Sequence, residues 1–99
     1  KIACFGLAFK PDIDDLRESP AMGIAKNIAQ WHSGETLVVE PNIHQLPKKL
    51  DGLCTLAELN DALATADVLV MLVDHKQFKA IQGDAVQQPF VVDTKGVWR

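Results

Sequence analysis

Residues 6–20 read Gly6-Leu7-Ala8-Phe9-Lys10-Pro11-Asp12-Ile13-Asp14-Asp15-Leu16-Arg17-Glu18-Ser19-Pro20, with two cations flanking an acidic cluster. Ser19 is a good N-cap and Pro20 a favoured first helical residue, so a helix should open there. Free N–H groups at a helix start attract anions, and Lys10 and Arg17 nearby would reinforce that attraction for a phosphate. The segment is neither G-x-G-x-x-G nor a P-loop, because Gly6 has no second glycine to let backbone approach a pyrophosphate. A self-contained dinucleotide site is not expected. The plainer alternative is a solvated loop in which Asp12, Asp14 and Asp15 pair with Lys10 and Arg17, each pair contributing about 0–1 kcal/mol. Its length favours a working loop, since strand-to-helix connections usually run about 2–6 residues.

Other reactive side chains offer less. Cys4 and Cys54 form no C-x-x-C pair and sit among apolar neighbours, so they are expected as reduced, buried thiols in a cytoplasmic setting. Cys54 precedes an expected helix start, where a thiolate is favoured, but no histidine stands beside it. His32, His44 and His75 are scattered without metal-ligand spacing and are expected to face solvent or cap helices. Trp31, at a helix end, is expected in the core or at a domain interface.

These residues need a frame, and the apolar pattern supplies one. Residues 2–7 read as a buried strand, and Ala21, Ile24, Ala25, Ile28 and Ala29 recur at helical spacing until Ser33-Gly34. The β-branched run 36–39 ends at Glu40-Pro41, where proline stops the ladder. Residues 41–52 read as an irregular surface loop, and Thr55-Leu56-Ala57-Glu58 as a capping box for a helix to about residue 64. Residues 67–73 form the strongest strand, apolar enough for burial on both sides. Asp74 with Gln77 would cap a short helix ending at Gly83, and residues 90–92 a last strand before Asp93-Thr94-Lys95. Strands alternating with helices imply an α/β fold: an open, mainly parallel sheet of about four or five strands with helices on both faces. Ligands bind beyond the carboxyl ends of such strands. Topology brings the 9–19 loop, Glu40-Pro41-Asn42 and Asp93-Thr94-Lys95 to that edge.

The composition agrees with one small globular domain. The chain has 99 residues, 47% hydrophobic and 23% charged, and carries ten basic against thirteen acidic residues for a formal charge of −3. That balance gives no footprint for nucleic acid or an anionic membrane, and no apolar run is long enough to span a bilayer. Lys1 leads directly into the apolar Ile2-Ala3-Cys4-Phe5 with neither an initiator Met nor a signal peptide, which suits a piece of a longer protein.

The pattern from Gly6 to Pro20 closely resembles the signature that opens the C-terminal, UDP-binding domain of the UDP-glucose/GDP-mannose dehydrogenase family. The resemblance runs over nearly the whole chain, through the strand ending in Glu40-Pro41 to the closing Asp93-Thr94-Lys95. It implies a Rossmann-like domain spanning residues 1–99. Phe9 and Lys10 match the pair that contacts the UDP-sugar, Lys95 a basic residue that also contacts the substrate nucleotide, and Arg17 an arginine that reaches the NAD held by another domain. Asp14, Asp15 and Ser19 would hold the loop; apart from the resemblance, the position of Trp98 near the end of the chain would let it cover the nucleotide side. Glu40 stands where many relatives carry Asp, a change expected to cost little if the position is structural, and Lys95 replaces the Arg of some relatives with a point charge. The implied reaction is a two-step, four-electron oxidation of a sugar C6 alcohol to a carboxylate with two NAD, through a thio-adduct on a cysteine. Neither Cys4 nor Cys54 matches that cysteine, which belongs to a preceding part of the chain. The implied partners are the N-terminal NAD-binding and central helical domains of the same chain, in a homo-oligomer.

Two readings of other classes stand beside this one. A receiver-like phosphoacceptor domain would hold Mg²⁺ with Asp14-Asp15 and place Lys95 near a phosphoaspartate, although its acid pair should directly follow the first strand. A pure interaction domain would dock a partner through the 41–50 loop.

Overall fold

A computed structural model describes residues 1–8, 19–41, 43–81 and 90–93, with the side chains of Lys49, Phe90 and Asp93 left aside. Five strands form one parallel sheet: β1 (Ile2–Phe5), β2 (Thr36–Val39), β3 (Thr55–Leu56), β4 (Val68–Met71) and β5 (Phe90–Asp93). Their order is β3-β2-β1-β4-β5, so the chain builds outward from β1, then returns to its other side. The reversal puts a switch point between β1 and β4, where ligands of such sheets bind.

Helix α1 (Pro20–Trp31) covers one face, and α2 (Leu59–Thr65) and α3 (Lys76–Lys79) cover the other. Successive side chains of a strand point to opposite faces. Accordingly Cys4, Val38 and Val70 meet Met22 and Ala25 of α1, while Phe5, Val39 and Met71 meet Ala62 and Phe78. Burial on both faces is why β1, β4 and, past Thr36, β2 are runs of apolar residues instead of alternating. The expected α/β architecture with helices on both faces is what the chain adopts.

Several local expectations are corrected. Thr55 and Leu56 are not the start of a capping box: they pair with Leu37 and Val38 as edge strand β3, and α2 begins later with Glu58 as its N-cap. Strand pairing outcompeted the local helix signal. The cap of α3 is His75 and not Asp74, with no side-chain capping bond. Within the expected 41–52 surface loop, residues 43–52 reach into the core: Leu50, in a 3₁₀ turn over Lys48–Leu50, is fully buried and Ile43 and Leu46 pack beside it. Helix α1 stops at Trp31 with an extended His32 as its cap, ahead of Ser33-Gly34. Trp31 is 82% exposed, which removes it from this domain's core.

Candidate functional site

The carboxyl edge of the sheet is organised by one carboxylate. At the end of β1, the Gly6 N–H donates to the Val39 carbonyl at 2.9 Å, and Gly6 then turns the chain with a φ of +99°. Leu7 and Ala8, just beyond, donate their N–H groups to Glu40 Oε1 at 2.8 and 3.1 Å. The same oxygen meets His75 Nε2 at 2.8 Å, with both side chains withdrawn from solvent. Since Oε1 already accepts two backbone protons, the proton on this third bond belongs to His75 Nε2. Glu40 thus ties the ends of β1 and β2 to the connection between β4 and α3. Burying a carboxylate is costly unless it is hydrogen-bonded, and these three donors offset that cost.

The imidazole is itself held. His75 lies edge-on to Phe78 with ring centroids 5.4 Å apart, and Phe78 packs edge-on against Phe5 at 5.2 Å. Offset and T-shaped ring pairs of this kind fix orientation as well as bury area. Of the two expectations for His75, it does stand at the N-cap of α3, but it does not face solvent: its side chain is fully buried and bonded to Glu40. A histidine thirty-five positions from its partner leaves no trace in a local pattern.

Both ends of the 9–18 segment are anchored. Its entry is the Leu7–Ala8 pair on Glu40, and its exit is Ser19, whose Oγ accepts from the Met22 N–H at 3.4 Å while Pro20 starts α1. The expected cap is in place. The site residues Phe9, Lys10 and Arg17, together with Asp12, Asp14 and Asp15, lie outside the described residues, as do Asn42, Lys95 and Trp98. What the structure does give is the register of the strand ends. Phe5 and Asp93 both pair with Met71, so the chain leaves β1 and β5 at one edge, two strands or about 10 Å apart.

A cleft of about 530 Å³, lined in part by Glu40, opens among Ile43, His44, Glu58, Gln77 and Phe78. Gln77 Oε1 lies buried there with no hydrogen-bond partner among the described residues.

Gly6 does not cradle a dinucleotide. A Cβ placed on it would lie 2.6 Å from the Val73 Cβ, so the glycine serves close packing of β1 against the chain after β4. The Gly6 position therefore does not fit the pyrophosphate of NAD. Nor is either cysteine an activated nucleophile. Burial, followed by the neighbouring Cys54, pushes the Cys4 thiol up to about 12, and burial raises Cys54 as well. No group of three His, Cys, Asp or Glu side chains among the described residues is placed to hold a metal ion, and no described helix is long and apolar enough to cross a membrane.

Known proteins place this geometry. Residues 3–99 match the UDP-glucose/GDP-mannose dehydrogenase family, UDP binding domain. The chain is 85% identical over all 99 residues to the UDP-N-acetyl-D-mannosamine dehydrogenase of Salmonella typhi, of which it spans only 24%. Its fold matches the UDP-N-acetyl-mannosamine dehydrogenase Cap5O of Staphylococcus aureus with a TM-score of 0.75 and 28% identity, covering 98% of this chain and 23% of that one. It also matches a UDP-glucose dehydrogenase from the archaeon Pyrobaculum islandicum, with a TM-score of 0.74 and 25% identity over 93% of this chain and 21% of the other. The receiver-like reading finds no support in these matches. A parallel β/α sheet with an anchored loop after its first strand, matched over residues 3–99, makes the chain a member of the UDP-glucose/GDP-mannose dehydrogenase family, in its UDP binding domain.

Proposed function

We propose that residues 1–99 are the C-terminal UDP-sugar-binding domain of a longer NAD-dependent dehydrogenase. The enzyme oxidises the C6 alcohol of UDP-N-acetyl-D-mannosamine to the uronic acid for surface polysaccharide, including enterobacterial common antigen, in the cytoplasm. The choice of sugar rests on the 85% identity to a UDP-N-acetyl-D-mannosamine dehydrogenase. In this reading Phe9, Lys10 and Lys95 bind the nucleotide-sugar, and Arg17 reaches across to NAD. NAD and the catalytic cysteine are held by the preceding N-terminal and central helical domains of the same chain, in a homo-oligomer. An exposed Trp31 on α1 suits packing against one of those domains.

One observation supports the binding role above the others. The strands that lead toward Lys10 and Lys95 end at the same edge on either side of β4, about 10 Å apart, which suits two cations converging on one diphosphate. The domain's task is then to bind and orient. Closure against the NAD-binding half would bury the phosphate charge against the lysines and exclude water from the reacting carbon.

Titration of the full-length enzyme with the UDP-sugar tests this. Lys10→Ala and Lys95→Ala are each expected to weaken binding at least about tenfold, because each removes a cation facing a desolvated phosphate. Unchanged affinity in the Lys10→Ala enzyme would remove that residue from the site. Residues 1–99 alone are expected to form no NADH from UDP-sugar and NAD, and any such activity would overturn the division of labour.

A further inference from the structure

We propose that His75 is a positioning residue for nucleotide-sugar binding, acting through Glu40 on the backbone at Leu7 and Ala8, directly before Phe9 and Lys10. The inference rests on the nucleotide-binding reading above and adds to it a residue that touches no substrate.

The reason lies in where the ladder stops. Among the described residues, the last backbone bond from the β1 end to β2 is that of Gly6 to the Val39 carbonyl, after which Pro41 ends any continuation of β2. Leu7 and Ala8 then have a side-chain oxygen, Glu40 Oε1, where a strand would offer carbonyls. The direction in which the chain leaves the sheet is set by that oxygen. A glutamate has three rotatable side-chain bonds, so the oxygen needs a further constraint to stay put. His75 Nε2 supplies it at 2.8 Å, from the connection between β4 and α3, and its ring is clamped in turn by Phe78. The arrangement links the β4–α3 connection to the loop after β1 through two buried side chains. For stability alone, apolar side chains of similar volume would serve as well as a buried polar pair. What they could not supply is a fixed acceptor for two consecutive N–H groups at the mouth of the binding loop.

The test uses the full-length enzyme with UDP-sugar and NAD as varied substrates. H75L keeps volume and removes the donor, and it is expected to raise KM for the UDP-sugar about tenfold while kcat and KM for NAD change less than about twofold. H75Q, whose side-chain amide nitrogen reaches the place of His Nε2, is expected to restore KM. H75N, whose amide stops short of Glu40, is expected to behave like H75L and carries the comparison if H75L does not fold. Amide exchange at Leu7 and Ala8 should speed up in H75L and H75N and return toward wild type in H75Q. Equal losses for both substrates, no rescue by H75Q, or unchanged exchange at Leu7 and Ala8 would overturn the positioning role. Wild-type enzyme that fails to bind UDP at all would overturn the nucleotide reading and this inference together. Wild-type binding with an unaltered H75L enzyme would overturn this inference alone.

Discussion

Gly6 and Val73 approach so closely that no side chain fits between them: a Cβ on Gly6 would fall 2.6 Å from the Val73 Cβ and 2.9 Å from its backbone nitrogen and oxygen. Gly6 also holds a φ of +99°, which L side chains rarely adopt. Gly6→Ala therefore meets both a strained backbone and a contact with main chain that cannot yield, and should cost at least about 2 kcal/mol in urea unfolding. Gly52 is the internal comparison. Its φ is +77° but nothing lies within 4 Å of its added Cβ, so Gly52→Ala should cost only about 1 kcal/mol. Equal costs would mean that contact with Val73 is irrelevant.

Glu40 makes a second prediction about reach. Its Oε1 meets Leu7, Ala8 and His75 at 2.8 to 3.1 Å, and an aspartate would withdraw the carboxylate by one bond, about 1.5 Å. Against the expectation from the resemblance that aspartate costs little here, Glu40→Asp should then destabilise the domain by about 1–3 kcal/mol by leaving buried donors short of an acceptor. A urea midpoint equal to that of wild type would show that the backbone follows the shorter side chain at no cost.

The thiol of Cys4 gives a pH dependence with a definite sign. Folding raises its pKa from 9.0 to about 12, so the folded state retains a proton that the unfolded state releases. The resulting stability is fully present below pH 9 and is lost progressively as pH climbs toward 12. Cys4→Ala should flatten the fall of unfolding free energy across that window, whatever it does to the value at neutral pH. At pH 8 Cys4 should resist iodoacetamide until the protein is unfolded, and rapid labelling of the native chain would contradict its burial.

Trp31 is the reverse case, a large apolar side chain 82% exposed at the end of α1. Trp31→Ala should move the urea midpoint of this domain by less than about 0.5 kcal/mol in equivalent free energy, since little packing is lost. If the side chain meets another domain of the longer protein, the same change should lower the Tm of the whole enzyme. No change in either would leave Trp31 without an interface.

Much of this domain is written in short windows of its sequence. The runs at 2–7, 36–39 and 67–73 announce strands, the last apolar enough for burial on both faces, and Ser19-Pro20 announces the start of α1, because burial, capping and backbone preference act over a few neighbouring residues, although the strands themselves stop at Phe5, Val39 and Met71. The loop from Gly6 to Pro20 likewise carries its family resemblance in plain view. Tertiary structure decided the rest. Thr55 and Leu56 became a strand against their local helix signal because Leu37 and Val38 offered an open edge. Met71 came to stand between Phe5 and Asp93, and His75 met Glu40, only after the sheet had assembled in the order β3-β2-β1-β4-β5. Periodicity reports which way a side chain faces, but a partner thirty-five residues away is chosen by how the layers stack, and no window of sequence contains that choice.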